Sequence, residues 1–295
     1  MLPDSPPAFK SGFVALVGRP NVGKSTLLNT LLGKKLSIVT PKAQTTRHRI
    51  SGILSESDCQ IIFLDTPGII DARTGLDASM MRQVSGAVSS ADLVVFLVDA
   101  RSSLPDHESL QRMHNLPAIL ALNKVDLMST EAVLPLAQAY RALREWEAIV
   151  PVSALDGYNV EALLKEIRSH LPAGPHLYPE DIISEHPERF FVAEIIREKV
   201  FRRFRAEVPY AVAVTIPGFA ERPGRKDLIE ADIFVERATQ KAILIGAGGQ
   251  ALKQTGMEAR KEIESFLGRP VYLKLFVRVR ADWRNQRVHL RNFGY

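Results

Sequence analysis

The chain has 295 residues, roughly two domains' worth of sequence. Hydrophobic residues make up 46% of it and charged residues 24%, a composition that excludes a disordered or fibrous chain. Its formal net charge is +5, unevenly spread: residues 1–178 carry 17 basic and 17 acidic side chains, and residues 179–295 carry 21 and 16. A neutral first part joined to a basic second part implies a polyanionic partner for the second.

The longest apolar stretches, Leu93–Val98 and Leu116–Leu122, are far too short to span a bilayer. Met1–Gly12 lacks the apolar core of a signal peptide, and Cys59 is the single cysteine. Without a partner for a disulfide, a reducing cytoplasm is the expected location.

In chain order, residues 1–10 read as a flexible lead. Phe13–Val17, Gln60–Leu64, Leu93–Val98, Ala118–Leu122 and Ala148–Val152 are short apolar runs bounded by polar or turn residues. They read as buried strands of a mostly parallel sheet. Helical patterns separate them. Val160, Leu163, Leu164, Ile167 and Leu171, for example, fall on one helix face. This alternation predicts a doubly wound α/β domain over 11–172, with ligands beyond the carboxyl ends of the strands. Five prolines and glycines in 172–187 break the rhythm, so 173–188 reads as a linker. Over 189–295 the spacing predicts a helix near 190–204, then strands at 211–216 and 229–236. Two helical segments follow, interrupted by a glycine-rich loop, with a break near Gly256, and a strand closes the pattern at 271–279.

Gly18-Arg19-Pro20-Asn21-Val22-Gly23-Lys24-Ser25 follows the first strand and opens the helix that begins at Thr26. In that context G-x-x-x-x-G-K-[ST] is a phosphate-binding loop. Backbone N–H groups and the helix N-terminus surround a β-phosphate, Lys24 bridges β- and γ-oxygens, and the Ser25 hydroxyl faces Mg²⁺. Asp65-Thr66-Pro67-Gly68 ends the second predicted strand, where a carboxylate can hold Mg²⁺ and a glycine amide can meet the γ-phosphate. Asn123-Lys124-Val125-Asp126 follows the strand at 118–122. The Asp126 carboxylate can accept from both N1–H and the 2-amino group of guanine, donors that adenine lacks. The Lys124 stem can cover the base. Ser153-Ala154-Leu155 follows the last strand, placing a backbone N–H near guanine O6. Between the first two motifs, Pro41–Arg49 is polar, basic and aperiodic, a loop in which Thr45 or Thr46 can reach Mg²⁺ and the γ-phosphate.

Four such boxes in this order mark a GTP-binding domain. Lys42-Ala43-Gln44-Thr45-Thr46-Arg47 with Asp65-Thr66-Pro67-Gly68 resembles the Era family of bacterial ribosome-assembly GTPases, within the TrmE–Era–EngA group. The resemblance extends through the tail, Asp282-Trp283-Arg284 and Leu290–Tyr295. After Gly68, many regulatory GTPases carry a water-orienting glutamine. Here the residues are Ile69 and Ile70, so a slow intrinsic rate is expected. The resemblance implies that switch-loop backbone substitutes, with K⁺ held in some members by an asparagine matching Asn21.

In the second half, Ile245-Gly246-Ala247-Gly248-Gly249 contains G-x-x-G between helical segments. The order helix, strand, strand, helix–loop–helix, strand resembles an α+β type II KH domain, whose loop grips single-stranded backbone. Ile243, Ile245 and Leu252 are groove candidates. Lys241, Lys253, Arg260 and Lys261 supply charge, because Ala247 and Gly248 stand where the family commonly has a lysine or polar residue. Trp283, among the tail arginines, is read either as a stacking surface for a base or as a hydrophobic clasp. Phe191, Ile195, Ile196 and Phe204 line one side of the helix near 190–204, with Arg197, Arg202, Arg203 and Arg205 near its end, an amphipathic pattern that can meet a membrane or its own sheet.

The resemblance implies a monomeric GTPase using GTP/GDP and Mg²⁺. Its partners would be the 3′ end of small-subunit rRNA and the 30S subunit during maturation, with no DNA and with peripheral contact at the inner face of the cell membrane as a further option. The alternatives are a GTP-gated RNA-binding module or a membrane-associated cell-cycle regulator, each with little hydrolysis. An RNA-modification GTPase is disfavoured because no second catalytic constellation appears.

Overall fold

Apolar runs, most of them ending in glycine, asparagine or aspartate, build a six-stranded sheet in the computed structural model, which describes residues 9–102, 106–113 and 116–295. Residues 1–8, most of the expected flexible lead, lie outside the described residues. The chain packs as two units. One is drawn from the chain up to Val39, Thr46–Asp71 and Met80–Glu185; the other from Thr40–Thr45, Ala72–Ser79 and His186–Tyr295.

The first unit contains β1 (Lys10–Val17), α1 (Lys24–Leu32), β2 (Ile50–Ser55), β3 (Cys59–Asp65) and most of α2 (Gly75–Ser89). It continues through β4 (Leu93–Asp99), α3 (His107–Gln111), β5 (Ala118–Asn123), α4 (Thr130–Arg141), β6 (Ala148–Val152) and α5 (Val160–His170). The sheet order is β2-β3-β1-β4-β5-β6, parallel except for β2, which runs antiparallel to β3. Near-continuous apolar strands are what a sheet covered on both faces requires, and every residue of β3 and β5 is buried. The five expected strands all form. β2 is an addition, weakly signalled because Ser51, Gly52 and Ser55 interrupt its apolar residues.

Beyond α5, 173–187 holds no regular element except a bridge between Ala173 and Lys10. The Gln60 side chain anchors it, donating to the Tyr178 carbonyl at 2.8 Å and accepting from the Leu177 and Tyr178 amides at 2.7 and 2.9 Å. Ile53 N–H donates to Ile183 O, so this segment also serves the edge strand β2.

The second unit follows with α6 (Glu188–Arg203), β7 (Ala213–Ala220), β8 (Asp227–Val235), α7 (Ala238–Ile245), α8 (Gln250–Leu267), β9 (Val271–Val279) and α9 (Arg287–Asn292). Its sheet order is β7-β8-β9, antiparallel then parallel, with a register shift between Thr215 and Gly218 beside Pro217. Val192, Ile196 and Val200 of α6 meet Ile229, Ile233 and Val271 in one core. The apolar side of α6 is therefore committed to its own sheet, and Arg197 is buried with it rather than displayed in an exposed basic cluster. No helix among the described residues is long and apolar enough to cross a membrane.

One expectation is corrected here, and the open reading of Trp283 resolves to the hydrophobic clasp. α8 continues unbroken through Gly256, where a Cβ would lie 3.2 Å from Leu275 Cδ1, so the glycine serves close helix–strand packing. Trp283 does not offer a stacking surface: it is 0% exposed, its Nε1 donates to Ala211 O at 2.8 Å, and Phe293 and Tyr295 pack against it. Trp283→Ala leaves a void and an unpaired carbonyl in this clasp. It is expected to cost roughly 3–5 kcal/mol in urea unfolding, against a smaller loss for Trp283→Phe.

Candidate functional site

Every motif in the first unit sits at the carboxyl end of a strand. Residues 18–25 follow β1, 65–68 end β3, 123–126 end β5 and 153–155 follow β6. In an open parallel sheet this edge is where ligands bind, at the point where the strand order reverses.

Asn123 draws three of these loops together. Its buried amide donates from Nδ2 to Val22 O at 2.7 Å and accepts at Oδ1 from Ala154 N–H at 2.9 Å. Thr30 Oγ1 donates to Ala154 O at 2.7 Å, fixing the Ser153–Leu155 turn over α1. Asp126 and Leu155 are exposed at the rim. Lys124 Nζ reaches the Asn21 carbonyl at 2.6 Å and Asp99 Oδ2 at 2.8 Å. Sequence reading did not single out Asp99. Its signal was an acid closing the apolar strand beside β5.

On the phosphate side, Lys24 is buried and its Nζ donates to Gly18 O at 3.0 Å and Arg19 O at 2.9 Å. Burial pulls its pKa down to about 8, with the Asp65 charge opposing the shift. Thr66 Oγ1 donates to Leu16 O at 2.8 Å, and Ile69 N–H to Gly18 O at 3.1 Å. Gly68 has no room for a side chain: a Cβ would stand 2.6 Å from Pro20 N. The Asp65 and phosphate-loop turns are thus seated backbone to backbone.

Ser25 Oγ lies 2.7 Å from Asp65 Oδ2 and 2.7 Å from Thr46 Oγ1. Asp65 is fully buried, and among the described residues its Oδ1 has no hydrogen-bond partner. Burial pushes the Asp65 carboxyl above the ordinary range, while the Ser25 hydroxyl and Lys24 pull the other way. A buried, half-satisfied carboxylate beside two hydroxyls is a donor set suited to a hard divalent cation. Thr45 is not in this cluster. Its Oγ1 sits 2.6 Å from Thr40 Oγ1 and donates to Lys42 O at 2.8 Å.

In the second unit, α7 ends at Ile245, a short turn covers Ala247–Gly249 and α8 starts at Gln250. Gly248 and Gly249 have φ of 55° and 78°, left-handed values that favour glycine. Ala247 and Gly248 are exposed at the tip, Ile243 is exposed, and Ile245 and Leu252 are half-buried. Lys253, Arg260 and Lys261 are exposed along α8, Lys241 is half-buried, and Arg260 pairs with Glu264 at 3.7 Å.

A family model described as 50S ribosome-binding GTPase matches residues 13–124, and a KH-domain model matches 207–284. Over 291 residues the chain is 47% identical to the GTPase Era of Geotalea uraniireducens, covering 97% of this chain and 98% of that protein. The chain belongs to the Era family of GTPases. The Staphylococcus haemolyticus GTPase Era is 43% identical over 290 residues, with 97% of each chain covered. Two solved Era structures each superpose with a TM-score of 0.93 over 97% of this chain and 99% of theirs. One is a variant of Aquifex aeolicus Era bound to GDP·AlF4⁻, at 42% identity. The other is Era in complex with MgGDPNP and nucleotides 1506–1542 of 16S ribosomal RNA, at 43%. These matches bear out the α/β P-loop GTPase domain followed by an α+β KH domain.

The Lys24 environment of this Era-family chain has a measurable consequence. A bound phosphate keeps Lys24 protonated, whereas in the free protein the ammonium deprotonates above about pH 8. Nucleotide binding should therefore take up a proton above that pH, and affinity should fall by up to about tenfold per pH unit toward 10. Calorimetry in two buffers of different ionisation enthalpy checks this. A flat affinity from pH 7.5 to 9.5 would contradict it.

Proposed function

We propose that this chain is a GTP-hydrolysing switch that binds single-stranded RNA at the 3′ end of small-subunit rRNA and assists maturation of the 30S subunit. The observation that carries the GTP half is the meeting of Ser25, Thr46 and the half-satisfied Asp65 carboxylate beside buried Lys24. The RNA half is supported by the G-x-x-G turn at Gly246–Gly249 and by the rRNA-bound Era structure.

In this reading the boundaries are 11–172 for the GTPase domain and 189–295 for the KH domain. Gly18–Thr26 wraps the phosphates, and Ser25, Asp65 and Thr46 hold Mg²⁺. Gly68 N–H meets the γ-phosphate, while Asp126, Lys124 and Ala154 N–H read guanine. Bound Mg²⁺ neutralises charge developing on the β- and γ-phosphate oxygens. Thr46 rather than Thr45 is the loop ligand, because only Thr46 joins Ser25. Thr45 contributes its carbonyl, which accepts from Arg197 Nη2 at 2.6 Å within the second unit. With Ile69 in place of glutamine, intrinsic hydrolysis is slow, and K⁺ near Asn21 supplements it. The chain works as a cytoplasmic monomer. Because the apolar side of α6 is buried, contact with the inner face of the cell membrane would not run through that side.

Two measurements test the reading. An oligonucleotide carrying the 3′ end of small-subunit rRNA should bind about fivefold or more tightly with a GTP analogue than with GDP, and turnover should be faster in KCl than in NaCl. Equal RNA affinities would remove the switch, and equal turnover would remove K⁺. For base selection, Asp126→Asn loses one guanine acceptor and should weaken GTP binding roughly a hundredfold relative to xanthosine triphosphate. Unchanged preference would exclude Asp126 as the reader.

A further inference from the structure

Asn21 and Lys124 are non-glycine residues with positive φ, 63° and 69°. Such conformations persist only where surrounding contacts over-determine them. Here one hydrogen bond joins the two strained residues: Lys124 Nζ donates to Asn21 O at 2.6 Å. The same ammonium donates to Asp99 Oδ2 at 2.8 Å. Asp99 is the last residue of β4 and stands in register with Asn123, the last of β5, so its carboxylate sits beside the base-side loop.

The Asp99 carboxylate is itself held from the other side. Arg101 donates to Oδ1 through its backbone N–H at 3.1 Å and Nε at 2.9 Å, and to Oδ2 through Nη2 at 2.7 Å. Partial burial works against the charge, but the Arg101 and Lys124 donors outweigh it and hold the carboxyl far below the usual carboxylate range. An ionised, fork-clamped carboxylate is a rigid anchor for an ammonium on a flexible four-carbon stem. Neither Asp99 nor Arg101 belongs to the four nucleotide motifs.

We propose that Asp99 is a positioning residue for guanine-nucleotide binding: oriented by Arg101, it fixes the Lys124 ammonium, and through Lys124 it fixes the turn of the phosphate loop at Asn21. The inference rests on the assignment of Lys124 to the base side of the nucleotide site. Losing the anchor lets Lys124 sample other rotamers and lets the 124 and 21 turns relax independently, so bound nucleotide is released faster. GDP and GTP should be affected alike, because the relay touches neither the γ-phosphate nor the Mg²⁺ ligands Ser25, Thr46 and Asp65.

The test is the dissociation rate of a fluorescent GDP analogue from the full chain carrying Asp99→Ala, Asp99→Asn, Lys124→Ala, and Asp99→Ala with Lys124→Ala. Asp99→Ala should speed release about five- to tenfold, and Asp99→Asn, which retains an acceptor, should recover part of that. In the Lys124→Ala background Asp99→Ala should add nothing, a non-additivity that a general loss of stability would not produce. Arg101→Ala, at an exposed position, should give a smaller increase with thermal unfolding unchanged, and it serves should Asp99→Ala fail to fold. Unchanged release in Asp99→Ala, or full additivity in the double variant, overturns the relay while leaving the nucleotide site standing. Unchanged release in Lys124→Ala overturns both.

Discussion

The nucleotide site depends on one buried amide. Asn123 is held at the end of an entirely buried strand, and its two polar atoms satisfy one carbonyl of the phosphate loop and one amide of the 153–155 turn. Those groups would otherwise be buried without partners, a cost of about 1–3 kcal/mol each. Only a side chain with both a donor and an acceptor can bridge them, so an isosteric aspartate or leucine would lose at least one contact. The loops that meet phosphate and base are therefore a single assembly hung on β5, and Lys124 extends it by linking Asn21 to Asp99.

Around that assembly the protein accepts unfavourable electrostatics. Lys24 and Asp65 are both buried; one has its charged form weakened and the other its neutral form favoured. Groups displaced in opposite directions by burial are stabilised by whatever restores charge balance, an anion beside Lys24 and a cation beside Asp65. Binding energy is then realised where the ligand's charge is concentrated. Ile69, buried beside the phosphate loop, adds no polar group that could orient water.

Most of this was legible in the sequence because strand ends and motifs coincide. Four of the five apolar runs in the first half stop where a glycine, asparagine or aspartate begins and the fifth stops at Ser153, and those are the positions the sheet brings to one edge. β9 forms over the same Val271–Val279 span that alternation indicated. What was not legible has specific causes. β2 gains its strand character from pairing with β3 and from the 173–187 segment, not from its own Ser- and Gly-interrupted residues. Thr45 and Thr46 are chemically the same in sequence, and only the backbone path turns one toward Ser25 and the other toward Thr40. Gly256 looked like a helix break because a single chain cannot reveal that Leu275 needs the space a Cβ would take. Asp99 carried no motif, since strand register and the hydrogen bonds from Lys124 and Arg101, none of them visible in sequence, are what bring its carboxylate to the base-side loop.

The KH domain of the second unit carries little charge at its glycine-rich loop. Ala247 and Gly248 present backbone and no side-chain cation, so the turn at Gly246–Gly249 can approach a sugar–phosphate chain closely but cannot neutralise it. Exposed cations lie instead along α8, where Arg260 is partly compensated by Glu264. The tail arginines accompany a tryptophan spent on packing, which removes base stacking at that point, whereas Ile243 is exposed and Ile245 and Leu252 are half-buried beside the glycine-rich turn. Recognition by close backbone approach and groove contact depends less on counterion release than recognition by paired phosphates and lysines, so it discriminates by shape and base identity. Under the proposed function, that suits a reader of one short single-stranded sequence better than a general binder of polyanions.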